Sequence, residues 1–382
     1  MSMKIIHIAP LNTSGVPISL VQAEKDLGYE SRLVTFAPDH REYTEDICLN
    51  LPFLDFAGTR LVKRLVSDPG KLRVDNSFKI PDRIPLQWRA NNRAEALLVS
   101  LRELIWTPRF KKFFDQIDFW NFDVYQLDGG LGFYRDGRVI EELKKRGKRI
   151  ICCYTGSDLR TRGVIPAIDA VADLNVTLEF DHLKLHPNIH HVGFPFDSGR
   201  FEPKPGTGNH EVVRIGHSPT NRLAKGSDHI IRAINSLKAR YPVELVLIEN
   251  VSYEESLRLK AGCDIFVDQL GDLGYGLSAL EALAMGIATC SCLVDGFEDT
   301  YPDHPIVEVS ALDLEGKLVE LLENPDKRIE IGRKGHEWVK RVHGKSNVVK
   351  KIHELAGLRA GDDAAPGGRP LAVDVNRAAM SM

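Results

Sequence analysis

Residues 271–286 read GDLGYGLSALEALAMG, with glycines at 271, 274, 276 and 286, a lone acid at Asp272 and a carboxylate at Glu281. Glycine carries no Cβ, so Gly271, Gly274 and Gly276 let a ligand approach the backbone closely. Leu280, Ala282, Leu283, Ala284 and Met285 make the helix that follows apolar nearly all round. A carboxylate buried there needs a partner, and the paired hydroxyls of a ribose are a suitable one, as in nucleotide sites. A second set of groups lies in RIGHSPTNRLAKGSDHIIRAI, where Arg222 and Lys225 precede Gly226-Ser227 and a helix. Arg offers a planar fork and Lys a point charge. Beside the positive end of a helix the two form a compact site for a diphosphate. A surface loop with incidental basic residues has the same composition.

Two further turns have a suitable place in the chain. In APLNTSGVP, Ser14 and Gly15 stand between a strand end and a helix start, where backbone N–H groups face a ligand; a plain Ser-Gly turn reads alike. In CCYTGSDLRTRG a strand ends in Thr155, Gly156, Ser157, Asp158 and Arg160, although Asp158 could equally cap the helix that follows. Neither turn belongs to a GxGxxG or GxxxxGK[ST] motif, and the chain has none.

The elements that must position these groups alternate along the chain. KIIHIAP, SRLVTFA, FDVYQLDG and KRIICCYTG read as strands, with helix patterns in VPISLVQAEKDLG and RVIEELKKRG. Continuous apolar strands separated by amphipathic helices predict a parallel sheet covered on both faces. Residues 187–206, PNIHHVGFPFDSGRFEPKPG, are rich in Pro and Gly and read as a linker. The alternation then restarts with EVVRIGHSP, KGSDHIIRAINSLKARY, VELVLIENV, SYEESLRLKAG, CDIFVDQL, LSALEALAMG and IATCSCLV. The expected fold class is α/β, two doubly wound Rossmann-like domains facing a cleft at the carboxyl ends of their strands.

Bulk properties agree. The 382 residues exceed one ordinary core. Apolar content of 43%, charged content of 27% and a formal charge of −3 fit a globular protein and argue against general nucleic-acid binding. No apolar run reaches the ~20 residues that span a bilayer, and MSMKIIHIAPLNTSG does not read as a signal peptide. The six cysteines lie mostly in apolar runs without metal or disulfide spacing, which predicts reduced thiols and a cytoplasmic setting. Residues 59–112 differ: 13 Lys or Arg against 5 Asp or Glu, interleaved with Trp88 and Trp106 and followed by Phe113 and Phe114 beyond Phe110. A basic, aromatic helix pair is a candidate for docking on an anionic membrane surface or acceptor. An ordinary solvated helical face with its aromatics in the core reads the same way.

Together the motifs resemble a retaining glycosyltransferase of GT-B architecture, similar to glycosyltransferase family 4, over residues 3–355 and most strongly over 211–300. HSPTNRLAKGSDHI resembles the family's Lys-Gly diphosphate loop, and CDIFVDQLGDLGYGLSALEALAMGIATC its acidic Gly-rich donor motif. FPFDSGRFEP resembles the hinge that closes the first domain, GSDLR a loop of some members, and EWVKRVHGKSNVVKKIHEL the helix that crosses back. The resemblance implies a nucleotide-sugar donor and a glycan or lipid-linked acceptor, with no cofactor and no bound metal. Lys225 and Arg222 would neutralise the diphosphate, and Glu281 would hold the ribose. Backbone groups of Gly274, Tyr275, Gly276 and Leu277 would line the sugar and phosphates. Ile248 and Glu249 would meet the base, and Gly15 would close over the diphosphate.

It also implies an organisation: a first domain over 1–195 with the basic insertion, a hinge over 196–210, a donor domain over 211–340, a crossover helix over 341–358 and a tail over 360–382. The family motif places a Glu eight residues before the ribose Glu. Leu273 stands there, with Asp272 beside it as the candidate substitute, and Thr155 stands where a first-domain His is expected. A degenerate, non-catalytic member that binds a partner or nucleotide-sugar is therefore the alternative. A nucleotide-sugar epimerase on the same fold is a third possibility, although no acid/base carboxylate pair stands out.

Overall fold

The computed structural model describes residues 2–39, 43–54, 85–203, 211–271 and 273–358. Asp272, the first half of the basic insertion and the tail lie outside the described residues. Seven parallel strands form the first sheet: β1 (Lys4–Ala9), β2 (Glu30–Thr35), β3 (Ile47–Cys48), β4 (Val124–Asp128), β5 (Arg149–Tyr154), β6 (Leu174–Thr177) and β7 (His190–His191), in the order β3-β2-β1-β4-β5-β6-β7. A second parallel sheet is built from β8 (Val213–His217), β9 (Val243–Leu247), β10 (Ile265–Val267), β11 (Ala288–Ser291) and β12 (Val307–Glu308), ordered β12-β11-β10-β8-β9. The α/β two-domain architecture expected from the alternation is the one observed.

Burial explains why the strands read as unbroken apolar runs. All five residues of β4 and five of the six in β1 and β5 are buried, because helices cover both faces of the sheet. On one face Phe36, Phe133, Trp106, Phe110 and Phe114 pack together; on the other, Val16, Leu20 and Ala23 meet Val348, Val349 and Ile352. All six cysteines are free thiols, and Cys152, Cys153, Cys263 and Cys290 are buried as small hydrophobes.

One reading of the sequence needs correction, and one pair of alternatives is decided. β7 lies inside the stretch read as linker, so the first sheet continues to His191. A two-residue edge strand has no period to detect among so many turn formers. In the basic insertion the described residues hold one helix, Arg93–Gln116, capped by Asn92, whose side chain accepts from the Glu95 N–H at 2.9 Å. Its aromatics do not face outward: Trp106, Phe110, Phe113 and Phe114 are core residues, and Trp88 packs against the same core.

The last described helix, Lys345–Leu355, packs on the helix Val16–Asp26 and joins it through a buried polar ladder. His7, in the central strand, sits between Asp128 and Glu24, its ring nitrogens 3.0 Å from each carboxylate. Glu24 also meets His353 Nε2 at 3.0 Å and accepts from the Ser31 hydroxyl at 2.6 Å. Burial opposes the charge on His7, but the two carboxylates outweigh it and raise its pKa to about 10. Burial likewise opposes ionisation of Glu24, and the two imidazoles pull its pKa down to about 2. The segments that connect the two sheets are themselves paired: the Phe196 N–H donates to the His343 carbonyl at 2.7 Å, and the Lys345 N–H to the Phe196 carbonyl at 3.3 Å.

Beside this pairing, aromatic rings join the two sheets' units. Phe180 packs on Phe297 at 5.1 Å, and His191 Nδ1 lies 2.8 Å from the Tyr301 hydroxyl. His343 donates from Nδ1 to the Phe194 carbonyl at 3.2 Å, which leaves Nε2 to accept from Tyr275 at 3.1 Å. Burial lowers the pKa of His191 to about 4 and of His343 to about 3. A base whose folded pKa lies below its unfolded value near 6.5 contributes stability that is present above that value and lost as pH falls. The denaturant midpoint should therefore drop between about pH 6.5 and 4.5, above the range where Glu24 begins to matter. His343→Gln is expected to remove roughly 2–3 kcal/mol of this pH dependence; an unchanged slope would show that His343 is not its source.

Candidate functional site

Strand order locates two crevices. The strand order reverses between β1 and β4 in the first sheet and between β8 and β10 in the second. In open α/β sheets ligands bind outside the carboxyl ends of strands at such switch points. At the second switch point β8 ends in His217, fully buried, whose Nδ1 donates to the Val267 carbonyl at 2.9 Å. Its Nε2 accepts from the Ser227 hydroxyl at 2.8 Å, and burial lowers its pKa, so the ring is neutral. One imidazole thus fixes β8, β10 and the start of the helix Ser227–Leu237 in register.

The loop between holds the two sequence-predicted cations in different settings. Asn221 caps the short helix Arg222–Lys225, accepting from the N–H groups of Leu223 and Ala224. Gly226 follows with φ 66°, and a Cβ there would press on Leu270 at 3.1 Å. Lys225 turns inward and donates to Asp268 Oδ1 at 2.5 Å, while Asp268 Oδ2 accepts from the Gly276 N–H at 2.7 Å. Asp268 is fully buried and Lys225 is 15% exposed, so this ion pair ties the cationic loop to the glycine loop. Arg222 faces outward in a bidentate pair with Glu249, at 2.7 and 2.5 Å. Ile248, beside it, is buried.

Glu281 is buried in the helix Leu277–Ala284, as the sequence requires, and its partner is Lys260. The Lys260 ammonium, fully buried at the end of the helix Tyr253–Ala261, pairs with Glu281 and donates to the Ser278 hydroxyl at 2.8 Å. Burial holds its pKa below the ordinary value even with Glu281 alongside. Burial and the neighbouring Glu281 push the Tyr253 phenol up. Lys260→Met should cost about 2–3 kcal/mol by leaving the Glu281 carboxylate without its counter-charge. Adding Glu281→Leu should recover most of that loss in a denaturant titration; no recovery would mean the pair is not the cause.

Gly274 has φ 78° and supplies the turn before the helix. Tyr275 sends its ring into the core against Phe297 and Trp338, which leaves its backbone as the part that can meet a ligand. Leu277 and Leu273 are exposed. At the first switch point Asn12 accepts from the Ile18 N–H and donates to the Thr44 carbonyl, and the Tyr43 ring lies over Gly15. The charged groups of the Thr155–Arg160 turn are partnered within the first sheet's unit. Asp158 accepts from the N–H groups of Thr155, Gly156 and Leu159, and Arg160 pairs with Glu179 and Asp181.

Sequence reasoning missed Lys260, Asp268 and His217. Asp268 could have been flagged as an acid ending an apolar strand; nothing in SYEESLRLKAG marks Lys260 as inward. Among the described residues no group of three or more His, Cys, Asp or Glu is arranged to hold a metal ion. No described helix is long and apolar enough to cross a membrane.

No family model matches the sequence, and no curated protein does. Solved structures do match. Sucrose-phosphate synthase of Thermosynechococcus elongatus superposes with TM-score 0.55 at 14% identity, over 92% of this chain and 98% of that one. HepE of Anabaena, solved with UDP, gives 0.55 at 12% identity over 93% and 100%. A glycosyltransferase of Rickettsia africae gives 0.52 at 12% over 93% and 98%. The chain has the GT-B fold. In this chain the segments that connect the two sheets bridge at Phe196 and Gly344.

Proposed function

We propose that the chain moves a sugar from a nucleotide-sugar donor to a glycan or lipid-linked acceptor, with retention at the anomeric carbon. The observation that carries this reading is the buried Lys225–Asp268–Gly276 junction at the second switch point. It sets an ammonium, a glycine loop and the start of the Leu277–Ala284 helix around one position. HepE, of the same fold, is solved with UDP, with UDP-glucose and with UDP and glucose.

In this reading the donor diphosphate takes over the Lys225 ammonium from Asp268, and Arg222 turns toward it from Glu249. Glu281, oriented by Lys260, holds the ribose hydroxyls, and the chain at Ile248 and Glu249 meets the base. Backbone groups of Gly274, Tyr275, Gly276 and Leu277 line the phosphates and sugar, while Gly15 approaches from the first sheet. Cations and helix dipoles then stabilise the departing nucleoside diphosphate as an oxocarbenium-like sugar forms. Asp272 stands in for the acid absent at Leu273. No metal or cofactor has a step in this scheme.

Incubation with a panel of nucleotide-sugars tests it. Release of nucleoside diphosphate with a sugar-bearing acceptor supports transfer, and an isomerised donor would replace it with epimerisation. Leu273, half-exposed at the position of the family's first acid, favours a second reading, donor binding without turnover. Tight binding with no product from any donor would establish that reading.

A further inference from the structure

The helix Arg93–Gln116 is apolar on two opposite faces. One is the core face of Trp106, Phe110, Phe113 and Phe114. On the other, Leu97, Leu98, Leu101, Leu104 and Ile105 are 60, 45, 48, 69 and 47% exposed. At 3.6 residues per turn these five fall within about 60° of Leu101 on either side, a continuous stripe about two turns long. Arg93 and Lys111 lie about 80° to one side of the stripe and Arg109 about 80° to the other, with Lys112 on its extension. All four are exposed. Over the helix five cations face three acids. Glu95 is occupied at the helix start with the Asn91 N–H, and Glu103 accepts the Arg135 N–H behind it. Asp115 is exposed on the stripe's side of the helix, but one turn beyond Lys111 and Lys112 and more than two turns past the last leucine.

We infer that this leucine stripe seats on the surface of an anionic lipid bilayer. An apolar centre with cations along both edges is the arrangement that enters the acyl boundary while meeting headgroup phosphates. Charge decides between occupants. A second copy on the same face would bring two sets of edge cations together, whereas anionic headgroups neutralise them, in a chain whose overall charge is −3. The surface differs from the one the sequence suggests, since leucines take the place of the aromatics. It does not depend on the donor reading, and donor binding is measured separately.

The test is sedimentation of the full chain with vesicles of pure phosphatidylcholine and with vesicles containing about a third phosphatidylglycerol. At low salt the protein should pellet with the anionic vesicles, stay in solution with the neutral ones, and be released by high salt. Leu101→Asp with Leu104→Asp should reduce retention about tenfold or more, and Arg109→Glu with Lys112→Glu should remove the preference for anionic lipid. Absence of retention at low salt overturns the inference. So does retention that survives the leucine substitutions, which would be adsorption by charge alone. Lower thermal stability of the leucine variant would show that this chain covers the face itself. Dispersal of a dimer by that variant, in analytical ultracentrifugation, would assign the face to a second copy.

Discussion

Lys225→Ala is expected to weaken binding of the donor nucleoside diphosphate by roughly thirty- to a hundredfold, read by isothermal titration against the wild type. Loss of one charge-assisted contact of about 2–3 kcal/mol accounts for that factor. The variant also strands Asp268, which is fully buried and would keep only its bond from Gly276. A companion, Lys225→Met with Asp268→Asn, removes the charge on both sides and separates the two effects. If the double variant folds as well as the wild type and still fails to bind, the ammonium is the diphosphate contact. Near-native affinity in Lys225→Ala would remove Lys225 from the site.

Glu24→Ala should destabilise the chain by about 3–5 kcal/mol, the usual cost of removing one partner from a buried charged network. The substitution leaves His7 with Asp128 alone and takes from His353 and Ser31 their shared acceptor. The two shifted groups give the ladder its pH window. Glu24, with its pKa pulled down to about 2, contributes stability above about pH 4.5 that is lost as pH falls toward 2. His7, raised to about 10, contributes fully below about pH 6.5 and loses its contribution as pH rises through 10. Denaturant titrations should therefore show a smaller gap between wild type and variant at about pH 10 than at about pH 7, the remainder being the lost bonds to His353 and Ser31. Equal gaps at both would show that Glu24 acts by packing rather than charge.

The sequence reveals the fold more fully than the site, for physical reasons. Strands buried on both faces announce themselves as apolar runs, so β1, β4, β5 and β8 are legible to within a residue or two, while β3, β7 and β12, two residues each, are not. Glu281 is legible because an acid in an all-apolar helix demands an explanation. Its partner is not, because Lys260 belongs to a helix with Glu254, Glu255 and Arg258 around it, and one inward lysine does not alter such a pattern. Asp268 and Lys225 lie 43 residues apart and meet only when β8 and β10 become neighbours. The aromatics of 106–114 were legible as a cluster but not as to direction, since apolar residues occupy both sides of that helix.

The pairing of Phe196 with the chain at His343–Lys345 limits how the molecule can move. A single linker would let one half swivel freely about the other. Two crossings bonded side by side form a short ribbon, which bends across its flat face far more readily than it twists. Any relative movement of the two sheets' units must bend or break this ribbon together with the Phe180–Phe297 and His191–Tyr301 contacts beside it. The ladder from His353 to Glu24 fastens the helix Lys345–Leu355 to the first sheet's unit, so the segment that returns from the second sheet is anchored at its start by Phe196 and at its end by a buried carboxylate.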